Sequence, residues 1–363
     1  MDLFSDIIGQ KNITLSLSGA VLNNKLHHAY LFTGPAGVGK EAVALELIKI
    51  VNCTENKGNL GYCGKCPSCI QYGSFSSDDL LYIFPSINKA SDSDKALKEK
   101  SVMISSELKE KARLKGYYKF SFRSGRYVTL PQIDEIKYFA RFNSINRSRK
   151  FVIISQAELM NKEAQNSLLK ILEEPPADLY FILISENPSV ILDTIRSRCL
   201  NVNFPPLNDE DIREYIGRYY PDAADETIED LVQNSFGSTD TLRKLNSESG
   251  SELKELTEDL IKIFTASLPP VTTKLVDSFL EQIKELSDTE TDYIFRKTLN
   301  SLITETFGQE KKLSLKARSV VMTDFERFAV MYRRNVNPRL LLINLYLNFR
   351  EEYKKWQMIQ KEI

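Results

Sequence analysis

The stretch Gly34-Pro35-Ala36-Gly37-Val38-Gly39-Lys40-Glu41 (GPAGVGKE) decides how the chain reads. Gly34, Gly37, Gly39 and Lys40 fit the pattern G-x-x-x-x-G-K. The pattern sits between an apolar run, AYLFT (Ala29 to Thr33), and a helical one, EAVALELIKIVN (Glu41 to Asn52). Glycines there let backbone N–H groups curl around phosphate oxygens, the helix start adds positive potential, and the lysine reaches the outer phosphates. In working phosphate loops the next residue is Ser or Thr, whose hydroxyl holds Mg²⁺. Here it is Glu41, whose longer, charged side chain crowds and repels phosphate; as a first-turn helix residue it favours the dipole. A second, acidic metal ligand belongs at the tip of a later strand. FVIISQAELMN (Phe151 to Asn161) puts Ser155 and Gln156 at that tip, with Glu158 expected on the following turn and out of reach. The expectation is a degenerate loop: nucleotide binding weak or absent, no Mg²⁺ site, and little or no hydrolysis by the chain itself.

Working outward, AYLFT, FVIIS (Phe151 to Ser155) and YFILIS (Tyr180 to Ser185) read as buried parallel strands with helical patterns between them, an α/β arrangement over residues 1–205. Ser86 to Arg126 is charged and polar, and reads as a solvated insertion, partly helical, with a hairpin near Ser124-Gly125. After Pro205-Pro206 only helical patterns follow. Residues 206–247 form a small helical domain, SLPP (Ser267 to Pro270) marks a break, and residues 268–363 are amphipathic helix. With 363 residues the chain has room for two or three domains.

Forty-eight basic against 49 acidic residues leave a formal charge of -1, so a nucleic-acid contact would need a local patch rather than a whole-molecule field. The basic stretch RFNSINRSRK (Arg141 to Lys150) could be such a patch or a solvated face. MDLFSDIIGQKN lacks a basic start and an apolar core segment, and no apolar run is long enough to span a bilayer, so a cytoplasmic chain without a membrane is expected.

Cys53, Cys63, Cys66 and Cys69 follow the spacing C-x9-C-x2-C-x2-C. Two short C-x2-C steps carrying Gly and Pro make turns that aim thiolates at one point, and the fourth cysteine closes a tetrahedron. Structural Zn²⁺ is the expected occupant, with an iron–sulfur cluster as the other metal reading. Cys199, far away in sequence, reads as a small buried hydrophobe.

A phosphate loop followed closely by this cysteine spacing resembles the clamp-loader ATPases of bacterial DNA replication, members of the AAA+ class. GQKN (Gly9 to Asn12), HHAYLFTGPAGVGK, NKEAQNSLLKILEEPP (Asn161 to Pro176) and ENPSVILDTIRSRC (Glu186 to Cys199) carry the resemblance over residues 1 to about 205. NVNPRLLLINLYLNF (Asn335 to Phe349) is similar to the family's C-terminal collar helices. The resemblance implies a RecA-like parallel sheet with a zinc module, then a helical lid domain (206–247) and an all-α collar domain (268–363). It implies that Arg198, in Ser197-Arg198-Cys199, is an arginine finger reaching a neighbour's γ-phosphate in trans, and that Asn187 occupies a sensor position. It further implies gamma/tau and delta subunits, the sliding clamp and primer-template DNA as partners within a DNA polymerase III holoenzyme.

The departures imply a role. Glu41, Ser155 and Gln156 replace metal-binding residues, and Asp240 stands near the place of a sensing arginine, with Arg243 close by. A chain that has lost these parts and kept the finger is expected to be a non-hydrolysing helper of a neighbouring ATPase. A self-sufficient motor ATPase of the same family, or a zinc-stabilised nucleotide-binding regulator outside replication, are the other readings. Taken by themselves, Arg196 and Arg198 read as surface arginines, Glu173 and Glu174 as solvated or interface carboxylates, His27 and His28 as structural, and Asn187 as a turn former before proline.

Overall fold

The computed structural model describes residues 2–56, 61–85, 111–117, 127–142, 144, 149–221, 225–247, 249–265, 274–284, 286, 288–307, 323–324, 328 and 337–361. The expected hairpin near Ser124-Gly125 and the SLPP break lie outside these residues.

The first compact unit runs from Met1 to Asp240. It begins with α1 (Lys11–Leu22), β1 (Ala29–Thr33), α2 (Lys40–Asn52), α3 (Pro67–Gly73) and β2 (Leu80–Ile83). It continues with α4 (Leu130–Arg141), β3 (Lys150–Ile154), α5 (Lys162–Glu173), β4 (Leu179–Ser185), α6 (Asp193–Arg196) and β5 (Leu200–Asn203). Helices α7 (Asp209–Tyr219) and α8 (Asp225–Ser235) follow. Five strands form one sheet in the order β2-β3-β4-β1-β5, and every pairing is parallel. The three strands expected from sequence are its centre.

Alternation of side chains on a pleated strand sends successive residues to opposite faces, and here both faces are apolar. Ala29, Leu31, Val152, Ile154, Phe181 and Leu183 pack on one side with Ile133 and Ile136 of α4 and Leu168 and Leu172 of α5. Tyr30, Phe32, Phe151, Ile153, Ile182 and Ile184 pack on the other with Val43, Leu47 and Ile48 of α2. Each Val, Leu, Ile or Phe among them, fully buried, contributes about 1.5–3 kcal/mol. A sheet covered on both faces explains why its strands read as unbroken apolar runs.

Local chemistry fixes the helix ends. Asn161 caps α5 by accepting from the Ala164 N–H at 2.8 Å, and Asn208 with Asp211 forms a reciprocal capping box on α7. Lys150, buried at the start of β3, donates to the carbonyls of Phe139 and Phe142 at the end of α4, the latter at 2.6 Å. A cation there offsets the negative end of the helix. Lys150 therefore belongs to the core architecture, and Arg149 donates to Asn24 Oδ1 at 2.6 Å; these two members of the basic stretch are committed within the fold.

The second unit, Thr241 to Ile363, is helical among its described residues. The chain division falls inside α9 (Thr239–Leu245), after which come α10 (Ser249–Thr265), α11 (Lys274–Ile283), α12 (Asp288–Phe307) and α13 (Pro338–Lys361). Helix α10 packs against α11 and α12, its Leu253, Leu256, Leu260 and Phe264 are buried, and the Phe264 ring meets Tyr346 and Phe349 of α13. Arg339 at the start of α13 pairs with Asp277 of α11 at 3.0 Å. Among the described residues, no helix is long and apolar enough to cross a membrane.

Candidate functional site

The C-terminal ends of β1, β4 and β3 lie side by side, because β4 separates the other two and all three run the same way. Residues just past strand ends in such a sheet are where ligands bind. Gly34 to Glu41 leave β1 there, Ser155 and Gln156 leave β3, and Ser185 and Glu186 leave β4. All of these but Gly34, Pro35 and Val38 line one cavity, with Glu158, Gly116 and Tyr117. The sequence reading of Ser155 and Gln156 as a strand tip holds: Ser155 is buried, and Gln156 turns the chain with φ 51°.

The loop itself is occupied by its own groups. Lys40 Nζ donates to the Gly34 carbonyl at 2.7 Å and to that of Pro35. Gly37, at φ +68°, lies so close to the 238–240 segment that a Cβ would sit 2.4 Å from Asp240 N and 2.5 Å from Ser238 Oγ. Its carbonyl accepts from both the N–H and the hydroxyl of Thr239 at 2.9 Å. Asp240 is thus buried against the loop glycine, where sequence had only placed it near a missing arginine.

Glu41 is held from two sides. Ser155 Oγ donates to its Oε1, and Lys111 Nζ pairs with its Oε2. Lys111 is 0% exposed and Glu41 11%, so this is an enclosed ion pair. The Lys111 ammonium also lies 5.3 Å from the centre of the Tyr82 ring, a cation–π contact. The reading of residues 86–126 as a solvated insertion is corrected for the described portion. In Lys111 to Tyr117, Lys111, Leu114 and Tyr117 are buried, and Tyr117 Oη accepts from Ile8 N–H at 2.7 Å. The signal was present as Leu114 and Tyr117 at i and i+3 within a lysine-rich run, too short to outweigh the charge around it. Glu158 lies on the following turn, Ala157–Leu159, as expected, but not apart from the site: it lines the cavity wall, where its Oε1 accepts from Glu186 N–H at 3.3 Å.

The cavity measures about 40 Å³. Pockets for small organic ligands are on the order of 300 Å³ or more, so the space enclosed at the loop is small by comparison. Beside it, the Glu41 carboxylate and the Ser155 hydroxyl are turned to each other, and the carboxylate also to the Lys111 ammonium.

The four cysteines meet as their spacing predicts. Their sulfurs lie within 4.8 Å of one another. Cys53 ends α2 and Cys66 begins α3, so the two helices bring the ligands together. Backbone N–H groups point at sulfur: Asn56 and Cys63 at Cys53 Sγ (3.4 and 3.3 Å), Cys66 at Cys63 Sγ (3.3 Å), and Cys69 at Cys66 Sγ (3.4 Å). Such donors stabilise thiolate over thiol. Burial raises the Cys66 thiol, but hydrogen bonds from Thr54 and the Cys69 backbone outweigh it and bring it down to about 6. The donor set fits a metal ion with four sulfur ligands, consistent with structural zinc. Cys199 is separate and buried, and burial pushes its thiol up to about 12.

Arg198 follows α6 and is half exposed, donating to Glu173 Oε1 at 2.8 Å and to the Thr194 carbonyl at 2.9 Å. It is not among the residues lining the loop cavity. Asn187 begins the turn Pro188–Val190 and its Oδ1 accepts from Ser189 Oγ at 2.5 Å, just beyond the cavity wall.

Residues 9–208 match the family model described as DNA polymerase III, delta subunit. The chain is 29% identical over 246 residues to the DNA polymerase III subunit delta' of Pseudomonas aeruginosa, covering 67% of this chain and 64% of that one. It is 29% identical over 215 residues to the DNA polymerase III subunit tau/gamma of Haemophilus influenzae, covering 59% of this chain and 25% of the relative. A gamma subunit-related protein from Thermotoga maritima aligns over 93% of this chain and 99% of its own, with 17% identity and a TM-score of 0.41. With the matched model spanning more than half of its length, the chain belongs to the delta' clamp-loader family of DNA polymerase III.

Proposed function

We propose that the chain acts as a delta-prime subunit that does not hydrolyse ATP itself and supplies Arg198 to the active site of a neighbouring ATPase subunit. The observation that carries the reading is the state of the metal position: Glu41 and Ser155, which stand where metal ligands would, are hydrogen-bonded to each other. Without a bound cation a triphosphate's leaving oxygens stay uncompensated, and phosphoryl transfer loses its main electrostatic support. Arg198 meanwhile sits at the surface on a short, reversible ion pair, able to exchange one carboxylate partner for a phosphate. Its planar, permanently charged fork suits a phosphate whose charge moves outward in the transition state.

On this reading the partners are gamma/tau and delta subunits, the sliding clamp and primer-template DNA, in the cytoplasm. Zinc is the metal of the cysteine module and holds the α2–α3 junction. The helices after Pro205-Pro206 serve as lid, and those of the C-terminal part as collar. The test is ATP turnover by the chain alone and by an assembly reconstituted with gamma/tau and delta. The chain alone gives none. In the assembly Arg198→Ala slows turnover at one neighbouring site, where arginine fingers are worth about 10³ to 10⁵ in rate. Full stimulation by the variant would remove the finger assignment.

A further inference from the structure

The chain keeps every glycine and the lysine of a phosphate loop, yet places one of its own ammonium groups beside it. Three residues distant in sequence converge there. Glu41 begins α2, Ser155 ends β3, and Lys111 comes from the insertion. The carboxylate accepts from the hydroxyl on one oxygen and forms an ion pair with the ammonium through the other.

We propose that Lys111 is a built-in cation in the place of a divalent metal ion, and that the Lys111–Tyr117 segment holds the phosphate loop shut against nucleoside triphosphates. A carboxylate enclosed next to a phosphate-binding loop is costly when unpaired and repels the ligand. Lys111 cancels that charge without an ion from solution. Both Glu41 oxygens and the Ser155 hydroxyl are then engaged within the chain rather than offered to an incoming metal–triphosphate complex.

The segment is anchored by more than the ion pair. Gly116, at φ +88°, lies against the first turn of α2, where a Cβ would be 2.8 Å from Ala42 Cα. The Tyr117 ring covers Gly39, with its Cε1 3.0 Å from where a Cβ would stand. Leu114 is fully buried, and Tyr117 Oη accepts from Ile8 N–H. The segment thus packs on the first turn of α2 and on Gly39, one of the glycines whose N–H groups cradle phosphate in working loops. Lys40 turns to the Gly34 and Pro35 carbonyls in their stead. The retained glycines then serve close backbone packing rather than ligand binding.

The proposal concerns this chain's own loop and is independent of what Arg198 does for a neighbour. It is tested on the full-length chain by calorimetric titration with ATP, with and without MgCl₂. The wild type should give no saturable heat at millimolar ATP in either case. Lys111→Met combined with Glu41→Thr removes the ammonium and restores a metal-binding hydroxyl, and should bind MgATP at least about tenfold more tightly than the wild type, a difference of ~1.4 kcal/mol. A folded double variant that binds no better than wild type overturns the proposal, as does wild type that already binds MgATP saturably. Hydrogen exchange gives a second measurement should the double variant not fold. The Gly116 and Tyr117 amides, bonded to the Lys111 and Leu114 carbonyls at 2.9 and 2.8 Å, should be protected in the wild type and remain so with MgATP added. Exchange at the rate of an unstructured peptide, or exposure of these amides by MgATP, rejects the shut loop.

Discussion

Arg198 Nη2 and Glu173 Oε1 lie 2.8 Å apart, joining the Ser197-Arg198-Cys199 triplet to the Leu172-Glu173-Glu174-Pro175-Pro176 end of α5. The pair is 35% and 44% exposed, so water and salt screen it. It positions a guanidinium without binding it tightly.

A screened pair of this kind is worth about 0–1 kcal/mol. Glu173→Gln should therefore shift the urea unfolding free energy of the chain by less than about 1 kcal/mol, and the shift should vanish in molar salt. Arg198→Ala should be equally mild. A loss of several kcal/mol in either variant would mean that the arginine is a structural keystone rather than a surface group held ready.

The Cys53–Cys63–Cys66–Cys69 cluster should carry a single zinc ion per chain, measurable by atomic absorption after purification without added metal. Cys66→Ser or a strong chelator should lower the denaturant midpoint, by an amount on the order of several kcal/mol given what such sites contribute in small zinc peptides. Cys199→Ala should leave the metal content unchanged, because Cys199 lies apart from the cluster. Wild-type chain with no metal, or with iron and sulfide, sinks the zinc assignment.

Glu46 supplies a pH dependence with a definite sign. Burial holds its carboxyl above the ordinary range, against hydrogen bonds from the Asp6 and Ser5 N–H groups. The folded chain thus binds that proton more tightly than the unfolded one. The resulting stability is fully present below the unfolded carboxyl value of about 4.3 and is lost as pH rises through the folded value. Glu46→Gln removes this dependence. Its stability relative to wild type should rise with pH across that window, read as Tm against pH. A difference that stays flat or falls with pH contradicts the assignment.

Gly37→Ala should destabilise the chain by roughly 1–3 kcal/mol, through a left-handed backbone that alanine tolerates poorly and a Cβ driven onto Asp240 N and Ser238 Oγ. The loss should appear in thermal unfolding with no nucleotide present. An unchanged Tm would show that this glycine is kept for a ligand after all.

Much of the fold is legible in local sequence. AYLFT, FVIIS and YFILIS announce a sheet buried on both faces because such strands have no polar side to show, and the strands appear where those runs stand. The cysteine spacing works in the same way, since turns of two residues bring their ends together whatever surrounds them. The edge strand β2 and the helix α10 are less marked: LLYI is only partly buried, and SGSELKELTEDLIKIFT is charged along much of its length, its apolar positions meaningful only once α11 and α12 are in place.

The sequence by itself determined the loop-bearing strand–helix unit, the glutamate that follows its lysine and the four-sulfur module, each written within a few adjacent residues where spacing translates directly into geometry. Only the tertiary structure decided that Glu41 meets Ser155, 114 positions away, and that a lysine from a highly charged insertion lies buried between them and Tyr82. The reason is that a charge is stabilised by its partner and not by its neighbours in the chain. One lysine among many has no local mark until the fold encloses it beside a carboxylate.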